Sequence, residues 1–278
     1  SDGGTDELPA PAALAQEAEV LLLEPIDHHR RRWDALVRPA RKLRRGERLV
    51  TDAGVELVEI HERGVAGDTM TVEILGDADP LDLLATHGEM PLPPYITARL
   101  ERGDRYQTVY AAEPASSAAP TAGLHFTPEL LDRLRARGVD VATVELVVGL
   151  DTFKPVTEAD PRQHLIHSER YRVPAGVLER CTAARRVVAV GTTSVRALES
   201  AVTLGEGEGR TRLFIHRPYQ WQVVDLLMTN FHMPRTTLLM MIDAFVGERW
   251  RRLYGTAIAE QYRFLSFGDA MLLDRRAT

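Results

Sequence analysis

Apolar residues in the first third of the chain fall into short runs separated by glycine-containing turns. Short strands at this spacing are typical of a small antiparallel β-barrel. A brief helix is predicted after the last run, over Asp79–Thr86. The predicted strands are Glu19–Leu23, Trp33–Val37, Arg48–Thr51, Val55–His61 and Thr69–Ile74.

Beyond Pro91 helical and strand-like segments alternate, which favours an α/β layer. Pro128–Arg137 is predicted to be a helix, because its leucines lie at helical spacing behind a Thr127 cap and ahead of Gly138. Further predicted helices are Ala175–Ala184, Val195–Thr203 and a long final helix from about Thr237 or Asp243 to Tyr262, with strands at Val141–Val148, Arg186–Val190 and Arg212–Ile215. The predicted fold is a small antiparallel β-barrel domain over residues 19–86 and a larger α/β domain over residues 87–278.

The composition is that of a globular protein, with 44% hydrophobic and 27% charged residues among 278. The longest apolar run, Leu238–Ile242, is far shorter than the roughly 20 residues of a membrane helix, so no membrane span is predicted. The single cysteine, Cys181, excludes an internal disulfide framework and fits a cytoplasmic location. Residues 1–18 are predicted to be a disordered leader.

The net charge of −6 argues against broad, non-specific binding of nucleic acid. The charge is uneven, however, because His28–Arg48 holds nine Arg or Lys residues against two acidic residues. This segment could hold an RNA backbone, or its side chains could simply be solvated faces of strands and turns. The candidate RNA-binding residues are Arg38, Arg41, Lys42, Arg44 and Arg45.

An apolar strand that ends in Gly191, Thr192, Thr193 and Ser194 and opens a helix predicts an anion site. Backbone N–H groups and hydroxyls meet there at a helix N-terminus, which suits a carboxylate or a phosphate. The alternative is that Thr193 or Ser194 only caps the helix.

Four histidines are candidates for acid–base chemistry: His125, His164, His167 and His232. Glu169 follows the pair at 164 and 167 and could orient a histidine by accepting its N–H, which would leave the other nitrogen as a base. Metal ligation by these histidines is a weaker alternative, because no ligand-like spacing of carboxylates accompanies them, and no metal is predicted.

Two polar segments near the C-terminus are candidates for reading a base. Asn230 and His232 bracket Phe231, and an amide with an imidazole suits a purine edge or a ribose hydroxyl, although a structural turn is the alternative. In Tyr262–Asp269 aromatic residues alternate with Arg263, Ser266 and Asp269, a pattern that could stack a base or simply pack a strand.

Seven short strings carry a family resemblance: Pro91–Ile96, Tyr106–Tyr110, Ala118–Phe126 (AAPTAGLHF), His164–Glu169, Val190–Arg196 (VGTTSVR), Met228–Pro234 (MTNFHMP) and Tyr262–Met271. With these strings in colinear order, the chain from about Glu19 to Leu273 resembles the S-adenosylmethionine:tRNA ribosyltransferase-isomerases. The resemblance adds Thr121, Gly123 and Arg196 to the candidate substrate-binding residues.

The resemblance implies a defined reaction. S-adenosylmethionine is itself a substrate, and no other cofactor or metal is needed. A base removes a proton from the ribose carbon beside the sulfonium, and the carbanion attacks the aminomethyl-deazaguanine base at the tRNA wobble position. Rearrangement then gives epoxyqueuosine and expels adenine and methionine. A tRNA partner and a monomeric protein are expected.

The chain also departs from the family pattern. The family's segment before the barrel is not matched, so part of the α/β domain is expected to be missing. Within the matched region Val147 replaces a histidine and Asp151 replaces a glycine. These differences leave two alternatives open: a homologue that uses S-adenosylmethionine on a non-tRNA acceptor, and a non-catalytic RNA-binding or partner-binding protein.

Overall fold

The computed structural model describes residues 17–64, 69–93, 95–96, 103–112, 116, 118–148, 158, 160–164, 166 and 168–276. These residues divide into two compact units. The N-terminal unit holds the described residues up to Leu22 together with Ile26–His87, and the C-terminal unit holds Leu23–Pro25 and the described residues from Gly88 onward. Apart from Glu17 and Ala18, the predicted leader lies outside the described residues. Within the described ranges no helix is long and apolar enough to cross a membrane.

The N-terminal unit is built on a five-stranded sheet. On the second strand Trp33, Ala35 and Val37 are buried at alternate positions, which gives the sheet one apolar face. Leucines of the following helix pack against this face. The elements are β1 (Glu19–Pro25), β2 (Arg32–Arg38), β3 (Arg48–Val50), β4 (Glu56–Arg63), β5 (Met70–Ile74) and α1 (Pro80–His87), and all six confirm the predicted elements within a few residues.

The expected barrel is not observed among the described residues. The strand order is β1-β2-β5-β4-β3, so β1 and β3 are the two edges of an open sheet. The pairings of β5 with β2 and β4, and of β4 with β3, are antiparallel. Closure would require β1 to pair with β3, but β3 is only three residues long and its register shifts at Leu49/Val50. A series of short strands does not by itself distinguish a barrel from an open sheet.

The C-terminal unit contains two three-stranded sheets, in the orders β11-β10-β8 and β6-β7-β9. The helix α4 contacts strands of both sheets, and its buried apolar residues belong to the main core of the unit. The elements are α2 (Pro128–Ala136), β6 (Glu145–Val147), β7 (Glu169–Arg172), α3 (Val177–Ala183), β8 (Val188–Val190), α4 (Thr192–Leu204), β9 (Glu208–Thr211), β10 (Leu226–Asn230), α5 (Thr237–Val246), α6 (Arg249–Ala259) and β11 (Ala270–Asp274).

The predicted helix at Pro128 is confirmed in detail. Thr127 caps α2 by accepting a hydrogen bond from the backbone N–H of Leu130, at a distance of 3.2 Å. The helices predicted near Ala175 and Val195 are α3 and α4, and the strands predicted at Val141–Val148 and Arg186–Val190 correspond to the shorter β6 and β8. Local capping and periodicity were sufficient for these elements.

Two predictions in this unit are wrong. The strand expected at Arg212–Ile215 lies earlier, as β9, because its position is set by antiparallel pairing with β7 rather than by the apolar run. The long final helix is two helices, α5 and α6, divided at Gly247, whose φ of +64° ends α5. The strands β7, β10 and β11 were not predicted from the sequence.

Candidate active site

The strings Ala118–Phe126 and Met228–Pro234, about a hundred residues apart in the chain, meet in the folded structure. Thr121 and His125 lie on a 3₁₀ turn, Thr121–His125, and Asn230 is the last residue of β10. The Thr121 hydroxyl donates to Oδ1 of Asn230 at 3.1 Å, and Nδ2 of Asn230 lies 3.3 Å from Nε2 of His125. Asn230 is 2% exposed, so its amide is held between these two partners.

This arrangement fixes the roles of the three side chains. With Oδ1 of Asn230 accepting from Thr121, its Nδ2 is the donor toward His125, and Nε2 of His125 accepts. A neutral imidazole that accepts at Nε2 carries its proton at Nδ1. His125 therefore presents an N–H donor from its other nitrogen.

The Asn230 amide stands at the carboxyl edge of a parallel strand pair. The strands β8 and β10 are parallel, and the N–H of Gly191 donates to the carbonyl of Met228 at 2.8 Å. A Cβ at Gly191 would lie 3.7 Å from that of Ala122, in the 3₁₀ turn. The turn, the end of β10 and the start of α4 thus lie together. Ligands of α/β sheets bind at such carboxyl edges.

The N-terminus of α4 has the form expected of an anion site. Gly191 is the N-cap residue, with φ +87°, and no side chain caps the helix. Ser194 donates its hydroxyl to the carbonyl of Val190 at 2.8 Å, so the alternative in which Thr193 or Ser194 caps the helix is not observed. Thr192 and Thr193 occupy the first helical turn, whose N–H groups lie at the positive end of the helix dipole.

Among the described residues, Glu169 is paired with Arg196. Its carboxylate accepts a hydrogen bond from Nη1 of Arg196, and both residues are 5% exposed. Arg196 therefore lies in a buried ion pair within the core of the unit.

His164 is oriented by another carboxylate. Its Nδ1 lies 3.0 Å from each carboxylate oxygen of Glu158, and its side chain is 12% exposed. A carboxylate at Nδ1 leaves Nε2 as the basic nitrogen. His167 lies outside the described residues. The described contacts do not connect His164 to the Asn230 cluster.

His232 is held neutral. Its Nε2 lies 2.9 Å from the hydroxyl of Thr229, which is 1% exposed, and its backbone N–H donates to Oη of Tyr254 at 2.9 Å. Desolvation of the imidazole lowers the pKa of His232 to about 4. At neutral pH it is an uncharged hydrogen-bonding group.

The segment Tyr262–Asp269 is a loop between α6 and β11, not a strand. Its Ser266 is 3% exposed, with its hydroxyl 2.7 Å from that of Tyr95 and 3.4 Å from that of Tyr106. Asp269 accepts from the backbone N–H of Arg263 at 2.7 Å, which closes the loop on itself. Tyr262 packs edge-on against Phe231 and remains 47% exposed.

Gly123 is required by packing. A Cβ there would lie 1.9 Å from the hydroxyl of Tyr110 and 2.8 Å from a carbon of Thr108. Sequence reasoning assigned no role to Tyr95, Tyr106 or Tyr110, although all three stand in the quoted strings. Their place in strings that carry the family resemblance is the signal that could have identified them.

The candidate RNA-binding residues are exposed at the end of β2 and on its connection to β3. Arg38, Arg41, Lys42, Arg44 and Arg45 all lie in this segment, and none is found in an ion pair with the described residues. Elsewhere, Val147 is buried in β6, whereas Asp151 lies outside the described residues. The described residues contain no group of three or more His, Cys, Asp or Glu arranged to hold a metal ion.

Comparison with known proteins gives consistent matches. A family model described as a queuosine biosynthesis protein matches residues 9–273. The S-adenosylmethionine:tRNA ribosyltransferase-isomerase of Symbiobacterium thermophilum is 48% identical over 277 residues, which cover 92% of this chain and 76% of that protein. Its counterpart from Thermus thermophilus is 51% identical over 256 residues, covering 87% of this chain and 73% of that protein.

A crystal structure of S-adenosylmethionine tRNA ribosyltransferase from Thermotoga maritima is 34% identical to this chain. The match covers 92% of this chain and 74% of that one, with a TM-score of 0.46. The 48% identity to the Symbiobacterium thermophilum protein over 92% of this chain, together with the family model, confirms the resemblance carried by the seven strings. The chain belongs to the queuosine biosynthesis family of S-adenosylmethionine:tRNA ribosyltransferase-isomerases.

Proposed function

We propose that this chain transfers the ribosyl unit of S-adenosylmethionine to the aminomethyl-deazaguanine base at the wobble position of a tRNA. Rearrangement of that unit gives epoxyqueuosine, with adenine and methionine as the other products. The observation that carries the proposal is the 48% identity, over 92% of the chain, to a protein of this named activity. No cofactor beyond S-adenosylmethionine is part of the proposal.

The reaction makes three demands on the protein, and described residues suit each of them. A base must remove a ribose proton, a donor must stabilise the departing adenine, and the donor substrate must be held firmly. The N–H that His125 presents from Nδ1 suits the donor role. Its neighbours Thr121 and Asn230 keep it in that tautomer.

Among the described histidines, His164 is the one best prepared to act as the base. Glu158 accepts its Nδ1–H, which leaves Nε2 without a proton and able to accept one. His232, whose pKa is lowered to about 4, is a weak base and suits a different role. A neutral imidazole beside a sulfonium avoids the repulsion that a protonated one would cause. His167 and Glu169 stay candidates.

The acceptor would bind through two kinds of contact. The basic segment Arg38–Arg45 suits the phosphate backbone, and the aromatic loop Tyr262–Asp269 suits stacking on the everted base. A tRNA substrate places the enzyme in the cytoplasm. The monomeric state stays a prediction.

Mass spectrometry tests the function directly. The protein is incubated with S-adenosylmethionine, with and without tRNA carrying the aminomethyl-deazaguanine base, and adenine, methionine and the tRNA mass are measured. We expect release of both products only with this tRNA, with a matching mass gain on the RNA. Release without tRNA would favour another acceptor, and no release in either sample from folded protein would contradict the proposal.

A further inference from the structure

We infer that Arg196 binds the carboxylate of the methionine moiety of S-adenosylmethionine, and that Glu169 holds its guanidinium in place. The inference rests on the proposed function. It names the group that fixes one end of the donor substrate.

The guanidinium of Arg196 has one occupied side and one unoccupied side. Its Nη1 donates to the carboxylate of Glu169, and its side chain is 6% exposed. Its Nε and Nη2 are buried and find no hydrogen-bond partner in the part of the chain that the structure describes. These two groups form one edge of the guanidinium, which matches the two oxygens of a carboxylate. Buried donors are nearly always paired, so this edge requires a partner that the described residues do not supply.

Helix geometry directs the Arg196 side chain toward the N-terminal turn of α4. Arg196 follows Thr192 by four positions, so the two share a helical face, and side chains on a helix tilt toward its N-terminus. The position of Glu169 on β7 agrees with this direction of the Arg196 side chain. At one end Val173 donates to Gly207, just beyond the C-terminus of α4, whereas Glu169 is at the opposite end of the strand.

The charges also favour a single carboxylate. Arg196 and Glu169 form a pair with no net charge, so a bound carboxylate adds one negative charge beside the α4 N-terminus. The positive end of the helix dipole and the N–H groups of its first turn stabilise that charge.

A comparison of two ligands tests the inference. S-adenosylmethionine and its decarboxylated form differ only in the carboxylate, and both are titrated calorimetrically into the protein and into Arg196→Lys. We expect the protein to bind S-adenosylmethionine about 10- to 100-fold more tightly than the decarboxylated form, as for charge-assisted bidentate pairs. Lysine keeps the charge but lacks the fork, so Arg196→Lys should lose about 10-fold for S-adenosylmethionine and less than about 3-fold for the decarboxylated ligand.

Arg170→Lys is the matched control. Arg170 lies next to Glu169 on β7, but its side chain is 47% exposed and pairs with Glu145, so both affinities should stay unchanged. Equal loss for the two ligands in Arg196→Lys would overturn the inference, because it would indicate a purely structural role. If that variant does not fold, equal binding of the two ligands by the unmodified protein overturns it. Product release with tRNA, measured in parallel, distinguishes the two failures, because a wrong acceptor would abolish this release without making the protein bind the two ligands equally.

Discussion

Burial of the His232 imidazole makes the stability of the folded protein depend on pH. The pKa of His232 falls from 6.5 in the unfolded chain to about 4 in the folded protein, because burial disfavours the charged form. Between these values the unfolded state binds the proton and the folded state does not. Folding stability from this group is therefore complete above about pH 6.5 and is lost as pH falls toward 4, by about 3 kcal/mol in all at 1.36 kcal/mol per unit.

His232→Gln should flatten this part of the stability profile. The measurement is the free energy of unfolding by urea at pH 7, 6, 5 and 4, and the variant should lose up to about 3 kcal/mol less over this range than the parent protein. The same substitution at exposed His28 is the control. Parallel profiles for parent and His232→Gln would contradict the assignment.

Thr121 is a positioning residue for His125. Thr121→Val removes the hydroxyl that fixes Oδ1 of Asn230, so the amide is released and His125 no longer keeps one tautomer. One hydrogen bond of about 1 kcal/mol predicts a fall of about 5-fold in product release. Nitrogen chemical shifts of His125 should move toward a mixture of tautomers, and Thr121→Ser should restore both measurements. Unchanged chemical shifts in Thr121→Val would show that Thr121 does not control the tautomer of His125 through Asn230.

At the scale of elements, the division between α5 and α6 depends on one backbone conformation. Gly247 has φ +64° and ψ −156°, a region that residues with a Cβ rarely adopt. Gly247→Ala should therefore destabilise the protein by about 1–3 kcal/mol, measured by urea unfolding.

Gly255 provides the opposite test within the neighbouring helix. It lies inside α6, and a Cβ there would meet nothing within 4 Å. Gly255→Ala should stabilise the protein by about 0.5–1 kcal/mol, because alanine loses less backbone entropy on helix formation. If Gly247→Ala and Gly255→Ala changed the free energy of unfolding in the same direction, backbone conformation at these glycines would not determine the stability of this region.

Helices and strands could be predicted from the sequence where their positions depend on residues close together in the chain. The N-terminal strands and α2 depend on short-range signals, glycine turns and a Thr127 cap, and were predicted. The positions of β7, β9 and β10 depend on pairing with distant strands, which no local pattern encodes. The contact of Thr121 and His125 with Asn230 has the same origin, so sequence analysis identified these residues but not their arrangement.

At the scale of the whole molecule, the charge distribution separates two kinds of binding. The chain is acidic overall, at −6, yet the end of β2 and its connection to β3 expose five cations without ion-pair partners among the described residues. A polyanion would be attracted to this segment, whereas S-adenosylmethionine would not depend on it. Removal of positive charge from this segment should therefore weaken binding of tRNA and leave binding of S-adenosylmethionine unchanged.

The triple substitution Arg41→Ala, Lys42→Ala and Arg45→Ala tests this separation. Each phosphate contact contributes about 0.7–0.9 to the slope of log affinity against log salt, so loss of three should reduce the slope for tRNA by about 2. The affinity for S-adenosylmethionine should not change. Arg133→Ala, Arg135→Ala and Arg137→Ala, all exposed at the end of α2, remove the same charge and are the control. The two triple variants have equal charge, so only a local contact with tRNA can distinguish them. If both reduce the slope equally, net charge rather than this basic segment governs tRNA binding.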